Sequence, residues 1–388
     1  MSAGLQDRTT SESTVSASEV QRRTIRREAL VSCNQAFIDC RTPGSDRKEN
    51  YALIGSGVSQ SSEQVINLEV PHGFNVGGAA MPNGVTNSLH LHFTAEVFLV
   101  VAGEYKFRWG VDGGDGEFIG HAGDILSIPT WIFRGFTNVG PDENFMFTVL
   151  GRNDTGGIIW GPSVLREAEG HGLLLTAENK LVDTAAGQQV PDGVEQITPM
   201  PDDQIAALQH YSPEQLRRRV VTEADREFYD RALLCTVLPG GRAQLALVIG
   251  FGMTEHRSQE PPVYNPHGFN VAWLKAAPGE GLLTHRHQET QVLIARRGAW
   301  EITLNTEDPQ KVTLQENDTL SVPPGAWRRF TNVGDTEAEL VVINGSDGRV
   351  HLEWSDDVVR SARDLDLAHD ANGYLAPWSL VSRSVEDD

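Results

Sequence analysis

The chain has 388 residues, 39% of them hydrophobic, which is enough for two cores of ordinary size. A formal net charge of −21 argues against nucleic acid or an anionic membrane as a partner, since both call for a basic face. Cys33, Cys40 and Cys235 are an odd number without paired metal spacing, and the polar start has no apolar core of a signal peptide. A reducing, cytoplasmic setting is expected, with Cys33 and Cys40 open as a pair.

Residues 1–20 are Ser/Thr-rich, lack the apolar groups a core needs, and are expected to be disordered. A helix or lead-in arm over 22–38 follows. Strand-like alternation then begins near residue 51, punctuated by Gly55, Gly57, Pro71, Gly77 and Pro82. The stretch 84–103 reads GVTNSLHLHFTAEVFLVVAG. His90 and His92 stand two apart in its apolar run, so both leave the same face of a strand, and Glu96 keeps the parity. Two imidazoles and a carboxylate on one face suit a divalent transition metal, whether iron, manganese, nickel, copper or zinc. The alternative is a pair of surface histidines on a half-exposed strand. Beyond them Tyr105, Phe107 and Trp109 alternate with Lys106 and Arg108, as core-facing residues of a strand do.

Residues 163–192 read as loops and a short helix. Residues 212–234, SPEQLRRRVVTEADREFYDRALL, have the spacing of an amphipathic helix, with Ser212 as N-cap and Pro213 at the first helical position. The earlier pattern then returns. In 279–298, GEGLLTHRHQETQVLIARRG, His285 and His287 repeat His90 and His92 at an offset of 195 (285 minus 90), while Gln291 replaces Glu96. PHGFNV occurs at 71–76 and 266–271, and FTNVG at 136–140 and 330–334. Motifs shared in the same order make the chain a tandem duplication. Trp354 and Trp378 in the acidic C-terminal region are candidate docking points.

Gly84, His90, His92, Glu96 and Gly103 resemble the first motif of the cupin superfamily. Gly123, Pro129 and Asn138 resemble its second motif, as do Pro323, Gly325 and Asn332. The resemblance implies an all-β chain of two tandem cupin barrels, each a double-stranded β-helix or jelly roll, with an interdomain helical linker. The expected order is an N-terminal segment and arm at 1–50, barrels at 51–160 and 236–350, a linker at 161–235 and a tail at 351–388.

The resemblance also implies metal at His90, His92 and Glu96, and more weakly at His285, His287 and Gln291, whose amide lacks a carboxylate's charge. Iron is the first choice. The third histidine of the family's second motif is replaced by Arg134 and Arg328, and a guanidinium has no lone pair to give. Two histidines and a carboxylate suffice as a facial triad. His72 and His267 are candidate extra ligands, weighed against histidines bonded to backbone. Arg134 and Arg328 either hold a substrate carboxylate with a bidentate fork or turn outward into surface pairs.

The chain resembles the gentisate and quercetin types of dioxygenase, which implies an oxidoreductase of small aromatic or enolic substrates with Glu96 and Arg134 catalytic. A decarboxylase, lyase or isomerase of a small organic acid, and a non-enzymatic ligand-binding cupin, are the alternatives. The expected partner is a small molecule, with a homo-oligomer left open and neither nucleic acid nor membrane.

Overall fold

The computed structural model describes residues 12–385, which form two compact units. The first unit is Ala29–Arg226, and the second joins residues 12–28 to residues 227–385. Among the described residues no helix is long and apolar enough to cross a membrane.

In the first unit a seven-stranded sheet runs in the order Val220–Val221, Ile125–Ile128, Glu96–Ala102, Phe145–Gly151, Phe74–Ala80, Glu49–Ile54, Ile66–Leu68. A five-stranded sheet runs Ile158–Trp160, Thr86–His92, Arg134–Asn138, Glu104–Trp109, Gly116–His121. Pairing is antiparallel throughout except between Glu49–Ile54 and Ile66–Leu68. Strand Glu104–Trp109 shows why the sheets close on each other: Tyr105, Phe107 and Trp109 are buried, while Glu104, Lys106 and Arg108 face out. Across the core Phe107 meets Phe98 of the larger sheet at a centroid distance of 5.0 Å.

The second unit repeats the plan. Its six-stranded sheet runs Thr24–Ile25, Thr319–Val322, Gln291–Arg297, Ala338–Asn344, Asn270–Ala276, Gln244–Ile249. The five-stranded sheet runs Gln310–Leu314, Trp300–Leu304, Arg328–Asn332, Gly281–Arg286, Glu353–Trp354. Trp300, Ile302 and Leu304 take the buried positions of the aromatic strand. Residues 353 and 354, from the expected tail, supply the strand beside His285. Trp378 packs under the Arg363 guanidinium at 4.3 Å.

The motif residues outside the histidine cluster are structural. Gly103 (φ 87°) and Gly298 (φ 71°) turn the chain where an L side chain is strained. A Cβ at Gly103 would also lie 2.6 Å from Asn144 Cβ, and one at Gly298 2.8 Å from Ala338 Cβ. Asn138 Nδ2 donates to Met81 O and Pro141 O, both at 2.8 Å. Asn332 Nδ2 donates in the same way to Ala276 O (2.9 Å) and Thr336 O (2.8 Å).

Two expectations are corrected. Of residues 1–20, those at 1–11 lie outside the described residues, but 12–20 are ordered. Helix Ala17–Arg23 is capped by Ser16, and Val15 and Val20 enter the second unit's core, so two valines offset the polar composition. Of the helix over 212–234 only Pro213–Arg217 is α-helical, with the Ser212 cap in place, and a 3-10 turn follows at Glu223–Asp225; the linker's other α-helices lie at Pro162–Gly170 and Asp202–Ala206. Val220 and Val221 leave the helical path because they pair with Leu126 and Ile125. β-Branched side chains fit a pleated surface better than a helix.

These segments prove to be a further repeat. Thr24–Ile25 pairs with Leu320 and Thr319, and Arg23 Nη1 donates to Ser321 Oγ at 3.0 Å. Arg219 Nη1 likewise donates to Ser127 Oγ at 3.0 Å. The arm that precedes the first barrel in sequence thus belongs to the second unit, and the arm before the second barrel belongs to the first. Cys33, Cys40 and Cys235 are all free and buried.

Candidate functional site

His90 and His92 end strand Thr86–His92, and Glu96 opens a strand of the larger sheet, so the site forms where the two sheets of the first unit meet. His90 is 2% exposed, His92 1% and Glu96 5%, which rules out surface histidines. One ligand atom from each lies within 4.8 Å of the others, and among the described residues this is the group of three or more metal-ligating side chains. His90 Nδ1 faces Ser88 O at 2.7 Å, which makes it the N–H and leaves Nε2 its lone pair. His92 Nδ1 faces Gly157 O at 3.4 Å, and its buried Nε2 has no hydrogen-bond partner.

Electrostatics favour the ligating forms. Burial, reinforced by the Arg134 charge, lowers the pKa of both histidines, so they are neutral. Burial pushes the Glu96 carboxyl up, but the Arg134 guanidinium and His92 together hold it well below the usual carboxylate range. The donor set therefore suits a divalent cation in chemistry and proximity.

Arg134 is 1% exposed and points inward, which excludes the surface pair. Its fork is not free for a substrate either. Nε and Nη2 both donate to Glu96 Oε2, at 3.1 and 2.6 Å, and Nη1 reaches His90 O at 3.4 Å. A buried cation needs a counter-charge, and the carboxylate on the facing sheet supplies it.

The second unit brings the corresponding residues together differently. His285 Nδ1 faces Leu283 O at 2.8 Å and its Nε2 is unpartnered. Arg328 Nη1 donates to His287 Nε2 at 3.0 Å and to Gln291 Oε1 at 3.1 Å. Gln291 Nε2 approaches the same His287 nitrogen at 3.1 Å and donates to Asn344 Oδ1 at 2.9 Å. The guanidinium occupies the place between imidazole and Gln291 that a bound cation would take. Burial lowers its pKa to about 9.

His72 and His267 are not brought to either cluster. His72 Nδ1 bonds Val70 O at 2.5 Å and His267 Nδ1 bonds Asn265 O, so both side chains close their own turns.

Sequence reading missed a second polar group beside the triad. Lys48, Asn87 and Trp160 line a cavity of about 50 Å³ together with His90, His92 and Glu96. Lys48 is 5% exposed and pairs with Asp39, itself fully buried. Nothing in SDRKEN marks that lysine. The signal lay in the repeat, where Ala243 stands at the matching place.

A family model described as the Cupin domain matches residues 272–344. No curated protein matches the chain by sequence. Among solved structures, oxalate decarboxylase from Lactobacillus farciminis, solved as a formate complex, is 13% identical with a TM-score of 0.50, covering 81% of this chain and 86% of that one. Oxalate decarboxylase from Bacillus subtilis is 12% identical with a TM-score of 0.52, covering 90% and 81%. The 7S globulin of Momordica charantia is also 12% identical with a TM-score of 0.52, covering 90% and 93%. At such identities the likeness speaks for fold. The second barrel thus matches a cupin domain over residues 272–344, and the chain as a whole shares the fold of these two-barrel proteins.

Proposed function

We propose that the first barrel is a metal-dependent site acting on a small organic acid, as a decarboxylase or related lyase. The observation that carries this is the buried His90–His92–Glu96 cluster opening on a cavity that also bears a lysine. A cavity of about 50 Å³ favours an acid of a few heavy atoms over a multi-ring substrate. The likeness to oxalate decarboxylases supports the same class, and a structure of the Bacillus subtilis enzyme concerned with its Mn(II) centres makes manganese a fitting metal beside iron.

His90 Nε2, His92 Nε2 and Glu96 would hold the ion, which when bound supplies Lewis-acid polarisation of a substrate oxygen. Arg134 fixes the orientation of Glu96 and keeps it ionised through Oε2. Phe98, Phe136 and Leu150 wall the cavity and exclude water. A dioxygenase reading draws on the same facial triad, the donor set of non-haem iron oxygenases.

The test is metal content by mass spectrometry, with CO2 release and oxygen consumption measured on a panel of small acids. His90→Ala should lose metal and turnover, while His285→Ala keeps both, because Arg328 already fills the second cluster. Metal-free wild-type protein would leave the non-enzymatic binding module. Equal losses from the two variants would show that the second cluster also works. Oxygen uptake without added CO2 release would select the dioxygenase.

A further inference from the structure

The first barrel carries a buried polar cluster that the second does without. Lys48 Nζ bonds Asp39 and donates to Asn87 Oδ1 at 2.9 Å, and Ser88 N donates to the other Asp39 oxygen at 3.1 Å. Matching hydrogen bonds align the halves: Gln60 N to Ala36 O corresponds to Glu255 N to Ala232 O, both 2.8 Å. Strand Glu49–Ile54 corresponds to Gln244–Ile249, and the Asn87–Phe136 pairing to Leu282–Phe330. On this alignment Asp39, Lys48 and Asn87 stand opposite Cys235, Ala243 and Leu282, each fully buried. The fold itself therefore does not require the ion pair, whose burial is costly.

A second difference lies beside it. Trp160 sits opposite His90, as Trp354 sits opposite His285. Trp354 Nε1 donates to the Glu255 carboxylate at 2.8 Å. Trp160, 1% exposed, has an indole N–H with no acceptor. The residue matching Glu255 is Gln60, whose amide is engaged by Ile38 N at 3.0 Å and Asn179 Oδ1 at 2.6 Å. The copy shows that a carboxylate satisfies this indole, and the first barrel supplies none.

Lys48 Nζ lies 5.9 Å from the Trp160 ring and 5.3 Å from that of Phe37, in the wall of the cavity that holds the triad. An ammonium has three donors, and two are taken. We propose that Lys48 and the Trp160 indole N–H form the subsite for a carboxylate of the substrate, whose far end faces His90, His92 and Glu96. Asp39 and Asn87 are positioning residues that hold the ammonium. The assignment rests on the reading of the first barrel as a site for small acids, and it moves the substrate contact from Arg134 to Lys48.

The test uses full-length protein loaded with Mn(II), titrated calorimetrically with oxalate and with its neutral analogue oxamide, with metal content measured alongside. Wild type should prefer oxalate. Lys48→Met should weaken oxalate about ten- to a hundredfold and Trp160→Phe about tenfold, at unchanged metal content. The triple variant Asp39→Cys, Lys48→Ala, Asn87→Leu installs the second barrel's residues. It should stay folded, keep metal and lose oxalate. Wild-type oxalate affinity in Lys48→Met and in the triple variant, or no preference for oxalate over oxamide, overturns the subsite. Failure of wild type to hold metal overturns the metal reading instead, and the same titration on metal-free protein then decides the subsite.

Discussion

Arg134 and Arg328 stand at the same place in the repeat and reach across to the residue that opens the facing strand. What they meet there differs by a single functional group. In the first barrel it is the Glu96 carboxylate, and a buried ion pair results; in the second it is the Gln291 amide, and the guanidinium turns also to the lone pair of His287. Glu96→Gln should therefore do two things. It removes an anionic ligand, lowering metal affinity, and it strands Arg134 as an unpaired buried charge, a cost of about 3–5 kcal/mol. Urea unfolding and metal titration read the two effects separately, and an unchanged unfolding midpoint would show that Arg134 finds another counter-charge. Arg134→His removes a cation beside the donors and adds a third imidazole, so metal should bind about tenfold tighter or more. Equal affinity in a competition titration against a chelator would count against the inward geometry.

Among the elements, the turns and the two arms decide how the strands meet. Gly103 joins strand Glu96–Ala102 to Glu104–Trp109 with a positive φ, and Asn144 leaves no room for a side chain. Gly103→Ala should cost more than about 1 kcal/mol, the effect of alanine at a backbone angle it does not favour. Each arm adds a two-residue strand and apolar side chains to a barrel. Leu216, 1% exposed, does so in the first unit, and Leu216→Ala should destabilise by about 2–5 kcal/mol in denaturant unfolding. A loss below 0.5 kcal/mol, about the scale of a surface substitution, would show that the arm is not part of the core.

For the molecule as a whole, four buried histidines set the acid response of the metal-free protein. Burial, with the neighbouring arginine, lowers the pKa of His90, His92, His285 and His287. In the unfolded chain each protonates near pH 6.5 or about there. Below that value the unfolded state binds more protons, so the histidines' contribution is fully present above about pH 6.5 and is lost as pH falls. The slope reaches about 1.4 kcal/mol per pH unit for each histidine. Thermal unfolding should show Tm falling from about pH 7.5 to about 5.5, and a flat profile would mean that the histidines are already charged in the fold.

The duplicated barrels, the paired histidines and the glycine turns were legible along the chain, because strand parity and backbone angles act over a few residues and survive a wrong guess about neighbours. His90, His92 and Glu96 were legible for that reason, as was the Ser212 cap. What the arginines bind, where the arms go, that the His72 ring bonds its own turn and that Lys48 lines the same cavity as the triad were decided by tertiary structure alone. Each depends on which strand lies beside or across from which, a long-range choice in which one residue's partner comes from tens or hundreds of positions away. An arginine reads the same in sequence whether a carboxylate or an amide waits on the facing sheet, and only the folded register determines which one it meets.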